Sequence, residues 1–413
     1  MPPAISLIAA SWVWLVAQAL VDGQPPAPPP VSPPPTASPP IAPPPSVPPP
    51  PAPPPIAPAS PHAASPPASA LARSLVSWTP GAVRCAEGEA IARPPRRPLG
   101  QLIWGAAPGA YRPEIYQPVS WHFAIDATGR TLGIARSVPA MTLPHADLGP
   151  ALAATRFAPG APRTGCTITY TPSVTALGEA PVADLISYTM SPDNGPLPPE
   201  GWARIRQGGT CNDPPPLLRA FPDFRSLPGT PGVKDWAAVD YDLDARGQPR
   251  NARVGHGTGN PALDAAATRA VMQSRFTPGA RTGCRYPYWL APATIKAPPA
   301  PDPADLADAA ARCPRPYSYA TAPRLTYPEA YRRRRIEGWA IVRFDVAPWG
   351  DIGNATVLAA EPSADFGTHA LQVIRTARFQ PGPMGLSGCV EAVRFTMAAD
   401  GAPDVAGALP ATE

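Results

Sequence analysis

Lysine is nearly missing from this sequence: Lys234 and Lys296 are the only two among 34 basic residues, and the rest are arginine. Charged residues of either sign make up only 15% of the chain, and the net charge of +4 is too small a surplus to argue for nucleic acid. No Gly recurs at every third position, which excludes collagen in spite of 69 Pro and 33 Gly. An H-E-x-x-H pair, a nucleophile elbow, a Ser/Lys motif and a Gly-rich phosphate loop are all lacking. The five histidines, His62, His122, His145, His256 and His369, are scattered. An enzyme is therefore disfavoured and no cofactor is expected. Of the six cysteines, no two stand in C-x-x-C spacing and no His cluster accompanies them, which argues against zinc.

What is present is uneven. Ile5 to Val21 is an uncharged apolar run that as a helix spans about 26 Å, slightly short of a hydrocarbon core of about 30 Å. Ala17-Gln18-Ala19 offers a small-x-small cleavage site, while a basic leader is lacking, so residues 1–23 read as a signal peptide or a single-pass anchor. Between Pro25 and Pro67, 24 of 43 residues are Pro and none is charged. Such a tract cannot join a helix or a central strand and favours polyproline II, so 24–70 reads as a disordered spacer reaching roughly 130 Å if fully extended.

The remainder repeats itself. Cys85, Cys166, Cys211, Cys284, Cys313 and Cys389 alternate long and short spacings, which suggests three pairs, one per unit of about 100 residues. Arg156-Phe157-Ala158-Pro159-Gly160 precedes Cys166, Arg275-Phe276-Thr277-Pro278-Gly279 precedes Cys284, and Arg378-Phe379-Gln380-Pro381-Gly382 precedes Cys389. Each second Cys follows a Gly. Three such runs make an internal repeat over 77–177, 205–296 and 310–400. The export reading favours disulfides Cys85–Cys166, Cys211–Cys284 and Cys313–Cys389.

Each unit carries the same pattern. Trp121, Phe123 and Ile125, then Val239, Tyr241 and Leu243, then Val342, Phe344 and Val346 alternate with more polar residues, which predicts a strand with one buried face. A turn ending in Gly and a second strand follow, clearest at Asn354 to Ala360 and weaker at Asn251 to His256. Phe366, Ala370, Val373, Ile374 and Ala377 then fall on one helical face, as do Leu263, Ala267, Ala270, Val271 and Ser274. Pro150 shortens or kinks the helix in the first unit. A last strand is read at Val390 to Met397. One sheet with helices on one face predicts an α+β two-layer unit. The run Arg332 to Arg335 reads as a solvated helix end, with contact to anionic lipid, peptidoglycan or an acidic partner as the alternative.

The third unit resembles the C-terminal domain of TonB-family energy transducers. The landmarks are Tyr327-Pro328-Glu329-Ala330, Gly338, the strand Trp339 to Val346, Gly350, and Phe366 through Arg378-Phe379-Gln380-Pro381. The second unit matches more loosely, with Phe221-Pro222 in place of Tyr327-Pro328, and the first is degenerate. The resemblance implies three tandem αββαβ domains in a protein of the inner membrane facing the periplasm. It further implies coupling of an ExbB/ExbD-like motor to outer-membrane receptors for transport. Receptor engagement would be by strand addition at the last strand, here Val390, Glu391, Ala392, Val393, Arg394, Phe395 and Thr396. The family's anchor carries a His, which Ile5 to Val21 lacks. The alternative is an exported periplasmic interaction module with a cleaved signal and no motor.

Overall fold

Three hairpin-forming strand pairs organise the fold, and in each the turn is set by where its glycine must sit. In this computed structural model the chain divides into two units, Met1–Ala63 and Ala64–Glu413. The structure describes residues 73–90, 96–104, 116–137, 146–211 and 216–398. The apolar run Ile5 to Val21, the Pro-rich tract, His62 and His145 lie outside the described residues. No helix among the described residues is long and apolar enough to cross a membrane.

The first part runs β1 (Arg73–Pro80), β2 (Val83–Cys85), β3 (Gly88–Ala90), β4 (Gln101–Trp104), β5 (Val119–Ile125), β6 (Thr131–Arg136), α1 (Leu148–Ala154) and β7 (Arg163–Ala176). It is joined to the next by α2 (Val182–Met190) and α3 (Pro199–Arg206). The second part is β8 (Pro216–Leu218), β9 (Asp235–Leu243), β10 (Pro249–Gly257), α4 (Pro261–Gln273), β11 (Arg275–Phe276) and β12 (Arg281–Leu290). The third is β13 (Tyr319–Thr321), α5 (Glu329–Arg333), β14 (Gly338–Val346), β15 (Ile352–Glu361), α6 (Ala364–Arg375), β16 (Arg378–Phe379) and β17 (Leu386–Phe395). Helices mixed with antiparallel sheets make this an α+β fold. The order β10-β9-β12 recurs as β15-β14-β17, and β5 likewise pairs with β6 on one side and β7 on the other.

The Arg-Phe-x-Pro-Gly runs now have a physical reading. Phe157 packs on Phe123, Phe276 on Tyr241 and Phe379 on Phe344, with ring centroids 6.1, 5.5 and 5.9 Å apart. All six rings are buried. The amide of each motif Phe donates to the carbonyl of the hairpin-turn glycine: Phe157 to Gly129, Phe276 to Gly247 and Phe379 to Gly350, at 2.8, 3.0 and 2.9 Å. The motif's own Gly then donates to the same turn, Gly382 to Pro348 at 2.8 Å in the third part. Gly350 has φ +95°, and a Cβ there would overlap the Phe379 carbonyl, so the turn admits only glycine.

α6 and α4 bury the faces read from the sequence and are capped by Ser363 and Asn260. α1 spans only 7 residues, with Pro150 in its first turn. Other features depart from the sequence pattern. Trp236, Ala237, Ala238 and Val239 are all buried, as are Trp339, Ala340, Ile341 and Val342. The second face of β9 lies in a cluster with Leu185 and Ile186 of α2 and Ile205 of α3, and that of β14 is packed by Ala297 and Ala300. Period-two alternation holds only beyond these covers. Among the described residues, a helix directly before the first hairpin strand forms in the third part and not in the second. In the second, Asp223 accepts from the Arg225 amide and Pro228 follows closely, which closes a turn where α5 would be. Phe221 is correspondingly exposed, whereas Tyr327 is buried between Phe366 and Phe395.

The core does not divide along the repeats. Trp121, Leu148 and Leu152 share one cluster with Tyr331, Phe366 and Phe395. The reading of Arg332 to Arg335 as a solvated helix end is corrected here. Arg334 is 5% exposed and meets Asp147 through Nε and Nη2 at 2.6 and 2.5 Å. Its remaining donors reach the carbonyls of Gly232 and Arg97. Arg333 pairs with Asp193 and Arg332 with Glu329, both at 2.7 Å. The end of α5 abuts the first part, where Arg334 is buried against Asp147; Arg333 reaches the α2–α3 connection, and Arg332 stays exposed beside Glu329 of its own helix.

Candidate partner-binding edge

All three cysteine pairs read from the sequence are bridged: Cys85–Cys166, Cys211–Cys284 and Cys313–Cys389, closing sequence separations of 81, 73 and 76. Each second Cys lies directly across from the buried aromatic of the hairpin strand: Cys166 from Phe123, Cys284 from Tyr241 and Cys389 from Phe344. This common register aligns the last strands residue by residue. Val390 corresponds to Arg285 and Thr167, and Ala392 to Pro287 and Thr169.

A bulge sits just before the cysteine. Gly388 has φ +70°, and its amide donates to Asp345 Oδ1 at 2.8 Å. Asp345 Oδ2 accepts from Asn354 Nδ2 at 2.8 Å, and Asn354 also has positive φ, so one carboxylate clamps irregularities on both neighbouring strands. Asp242 does the same for Gly283 and Asn251, at 3.0 Å each. Hydrogen bonds from these side chains hold both carboxyls below the usual carboxylate range. In the first part Ala124 stands in this place, and glycine, Gly133, replaces the asparagine.

Among the described residues β17 is an edge strand whose one partner strand is β14, with a single bridge from Arg312 to Ser387 on its other side. Val393 and Phe395 face α6 and are fully buried, and Val390 and Ala392 are buried on the opposite face. Glu391 is buried too, Arg394 is exposed, and Thr396 is half-buried with an unpartnered hydroxyl. Arg394 is thus the one solvent-facing side chain among the seven residues from Val390 to Thr396.

The outer edge carries side chains instead of a strand. The Val390 carbonyl accepts from Tyr317 Oη at 3.0 Å and from Arg315 Nη2 at 2.5 Å. The Ala392 amide donates to the Glu391 carboxylate at 3.2 Å, and Arg315 pairs with that carboxylate at 3.5 Å. Burial pushes the Glu391 carboxyl up, and the Arg315 charge opposes it. Upstream, Arg312 and Ser387 exchange main-chain bonds. Beyond Ala392, the Arg394 main chain has no such cover among the described residues. The other two edges differ. β7 is flanked outside β5 by the chain's own strands, with Arg84 of β2 opposite Thr167 and Pro80 of β1 opposite Tyr170. β12 has Pro287 where β17 has Ala392, which removes the outward donor.

Sequence reading did not find Arg315, Tyr317 or the Asp345 clamp. The signal available was the Asp–Asn pair nine residues apart, Asp242 with Asn251 and Asp345 with Asn354. Among the described residues, no group of three His, Cys, Asp or Glu could hold a metal ion.

The family model of the Gram-negative bacterial TonB protein C-terminal matches residues 234–294 and 323–397. Over 69 residues the chain is 38% identical to Protein TonB of Escherichia coli (strain K12), covering 17% of this chain and 28% of that protein. Over 72 residues it is 35% identical to Protein TonB of Klebsiella pneumoniae, covering 17% of this chain and 29% of that protein. The chain therefore spans under a third of the length of these relatives. Both matched segments hold a hairpin, a helix and a last strand in one order, and the family segment of the second begins after the exposed Phe221. Two stretches of the chain, 234–294 and 323–397, are thus similar to the C-terminal domain of the TonB family.

Proposed function

We propose that this chain is a TonB-like energy transducer and periplasmic tether, built of three tandem TonB C-terminal-like domains after a Pro-rich spacer. On this reading it couples the inner membrane to outer-membrane receptors, and an ExbB/ExbD-like motor drives it. The third copy takes an extended receptor segment along Val390–Thr396 by strand addition. The observation that carries the reading is the contrast among three equivalent edges. The first is filled by strands of the chain itself, which is strand addition within the molecule. The second lacks a donor at Pro287. The third is covered by the side chains of Arg315, Tyr317 and Glu391, which can be displaced, and opens at Arg394.

The test is to weaken that cover. Tyr317→Phe removes one donor to the Val390 carbonyl, and Arg315→Gln removes another. Each variant is expected to bind a receptor's plug-proximal peptide several-fold more tightly by calorimetry. Unchanged or weaker binding by both would refute strand addition at this edge.

Ala17-Gln18-Ala19, with no His in Ile5 to Val21, favours a second reading: an exported interaction module without a motor. N-terminal sequencing of membrane and soluble fractions decides between them. Retained Met1 in the inner membrane supports transduction, and a mature start near Leu20 excludes it.

A further inference from the structure

A cavity of about 320 Å³ opens where β1, α2, the start of β9 and the end of α5 come together. Four cations line it, Arg96, Arg97, Lys234 and Arg334, against one carboxylate, Asp184. Two of the cations are compensated. Arg334 is held by Asp147, and Arg97 reaches Asp184 Oδ1 at 3.4 Å. Asp184 is itself engaged, because its other oxygen accepts the Ser77 hydroxyl at 3.0 Å.

The other two cations have no ion-pair partner among the described residues. Arg96 Nε is buried and makes no hydrogen bond, and no carboxylate lies within ion-pair distance of this guanidinium among the described residues. Lys234 donates to the Met190 carbonyl at 2.5 Å and rests 4.3 Å from the Trp289 ring centroid, with no anionic partner among the described residues. Burial lowers the proton affinity of both side chains, and for Arg96 the nearby Asp235 charge opposes this while the Arg334 charge adds to it. Cations partly withdrawn from water without a direct ion pair are unfavourable. Two of them beside one cavity constitute a charge surplus that an anion would neutralise. Trp78, Trp236 and Met190 supply apolar wall, so the space is larger and less polar than a bare ion needs.

We propose that this cavity binds a small oxyanion of at least two negative charges, phosphate or carboxylate in chemistry, carried on a short organic body. The anion sits between Arg96 and Lys234, with Arg97 at the rim. Its binding ties α2 and β9 to the segment 96–100. The site is independent of the β17 edge.

The test is calorimetry on the full chain with inorganic pyrophosphate and citrate as probes and acetate as the single-charge control. One saturable site is expected for pyrophosphate or citrate, at least about tenfold tighter than acetate, and the tighter of the two identifies the chemistry. Arg96→Gln and Lys234→Gln should each weaken it about tenfold or more, as loss of a charge-assisted hydrogen bond does. Lys234→Arg should keep it. Arg219→Gln, whose guanidinium stacks on Tyr286 elsewhere, should leave it unchanged. Near-ultraviolet circular dichroism confirms that each variant is folded. Absence of saturable heat with both polyanions overturns the proposal, and so does binding that survives both charge-removing variants.

Discussion

Replacing Asp345 by Ala removes two hydrogen bonds to a carboxylate, from the Gly388 amide and from Asn354 Nδ2, each at 2.8 Å. Hydrogen bonds to charged groups contribute about 1.5–3 kcal/mol each, and exposure lowers that figure. Asn354 is exposed and recovers water, so the lasting loss is at the Gly388 amide and the paired bulges. The expected destabilisation is about 1.5–3 kcal/mol, read by urea unfolding at neutral pH. Hydrogen exchange at Gly388 should accelerate with it. Because Asn354 has positive φ, Asn354→Gly on top of Asp345→Ala should restore part of the loss, reproducing the Ala124 and Gly133 arrangement of the first part. The same carboxyl predicts a pH dependence. Its folded value is depressed, so its contribution is full above the unfolded value of about 3.9 and is lost as pH falls through the lower folded value. The stability gap between the parent and Asp345→Asn should therefore close on acidification and stay constant at neutral pH. A loss below about 0.5 kcal/mol for Asp345→Ala, or a gap that widens in acid, would refute the clamp.

Two further outcomes follow from the packing. Arg334→Met should destabilise by about 3–5 kcal/mol, because it removes the guanidinium charge that neutralises the buried Asp147 carboxylate. Adding Asp147→Leu should recover most of this, and thermal unfolding of the single and double variants checks the coupling. Opening the Cys313–Cys389 bridge by a double Ser substitution frees a long loop and should lower stability by about 2–5 kcal/mol in denaturant titration. A change under 1 kcal/mol would mean the loop is held by other contacts.

Much of the fold was legible because the same physical demand recurs three times. Phe123, Tyr241 and Phe344 announce a half-buried strand, and the Arg-Phe-x-Pro-Gly runs announce the piece that folds back onto its turn. β17 was read four residues short at its start, since Gly388 forms a bulge that breaks the alternation before Cys389. α2 was missed because nine residues give too few turns for a periodic pattern, and β1 because Leu75 and Val76 are both buried, which erases alternation. Arg334 was misread since its partner, Asp147, is 187 residues away. For the candidate site, the strand and its cysteine were visible in the sequence. Its cover was not, because Tyr317 and Arg315 meet Val390 only after the chain has turned back on itself.

Strand addition at β17 is decided by where a receptor segment lands. Two-dimensional amide spectra of the full chain, with the plug-proximal peptide of an outer-membrane receptor titrated in, test this directly. The predicted result is shifts and slowed exchange at Ala392, Arg394 and Thr396, together with release of the Tyr317 hydroxyl from the Val390 carbonyl. Shifts confined to β10 or β15, with the amides from Val390 to Met397 unmoved, would contradict it.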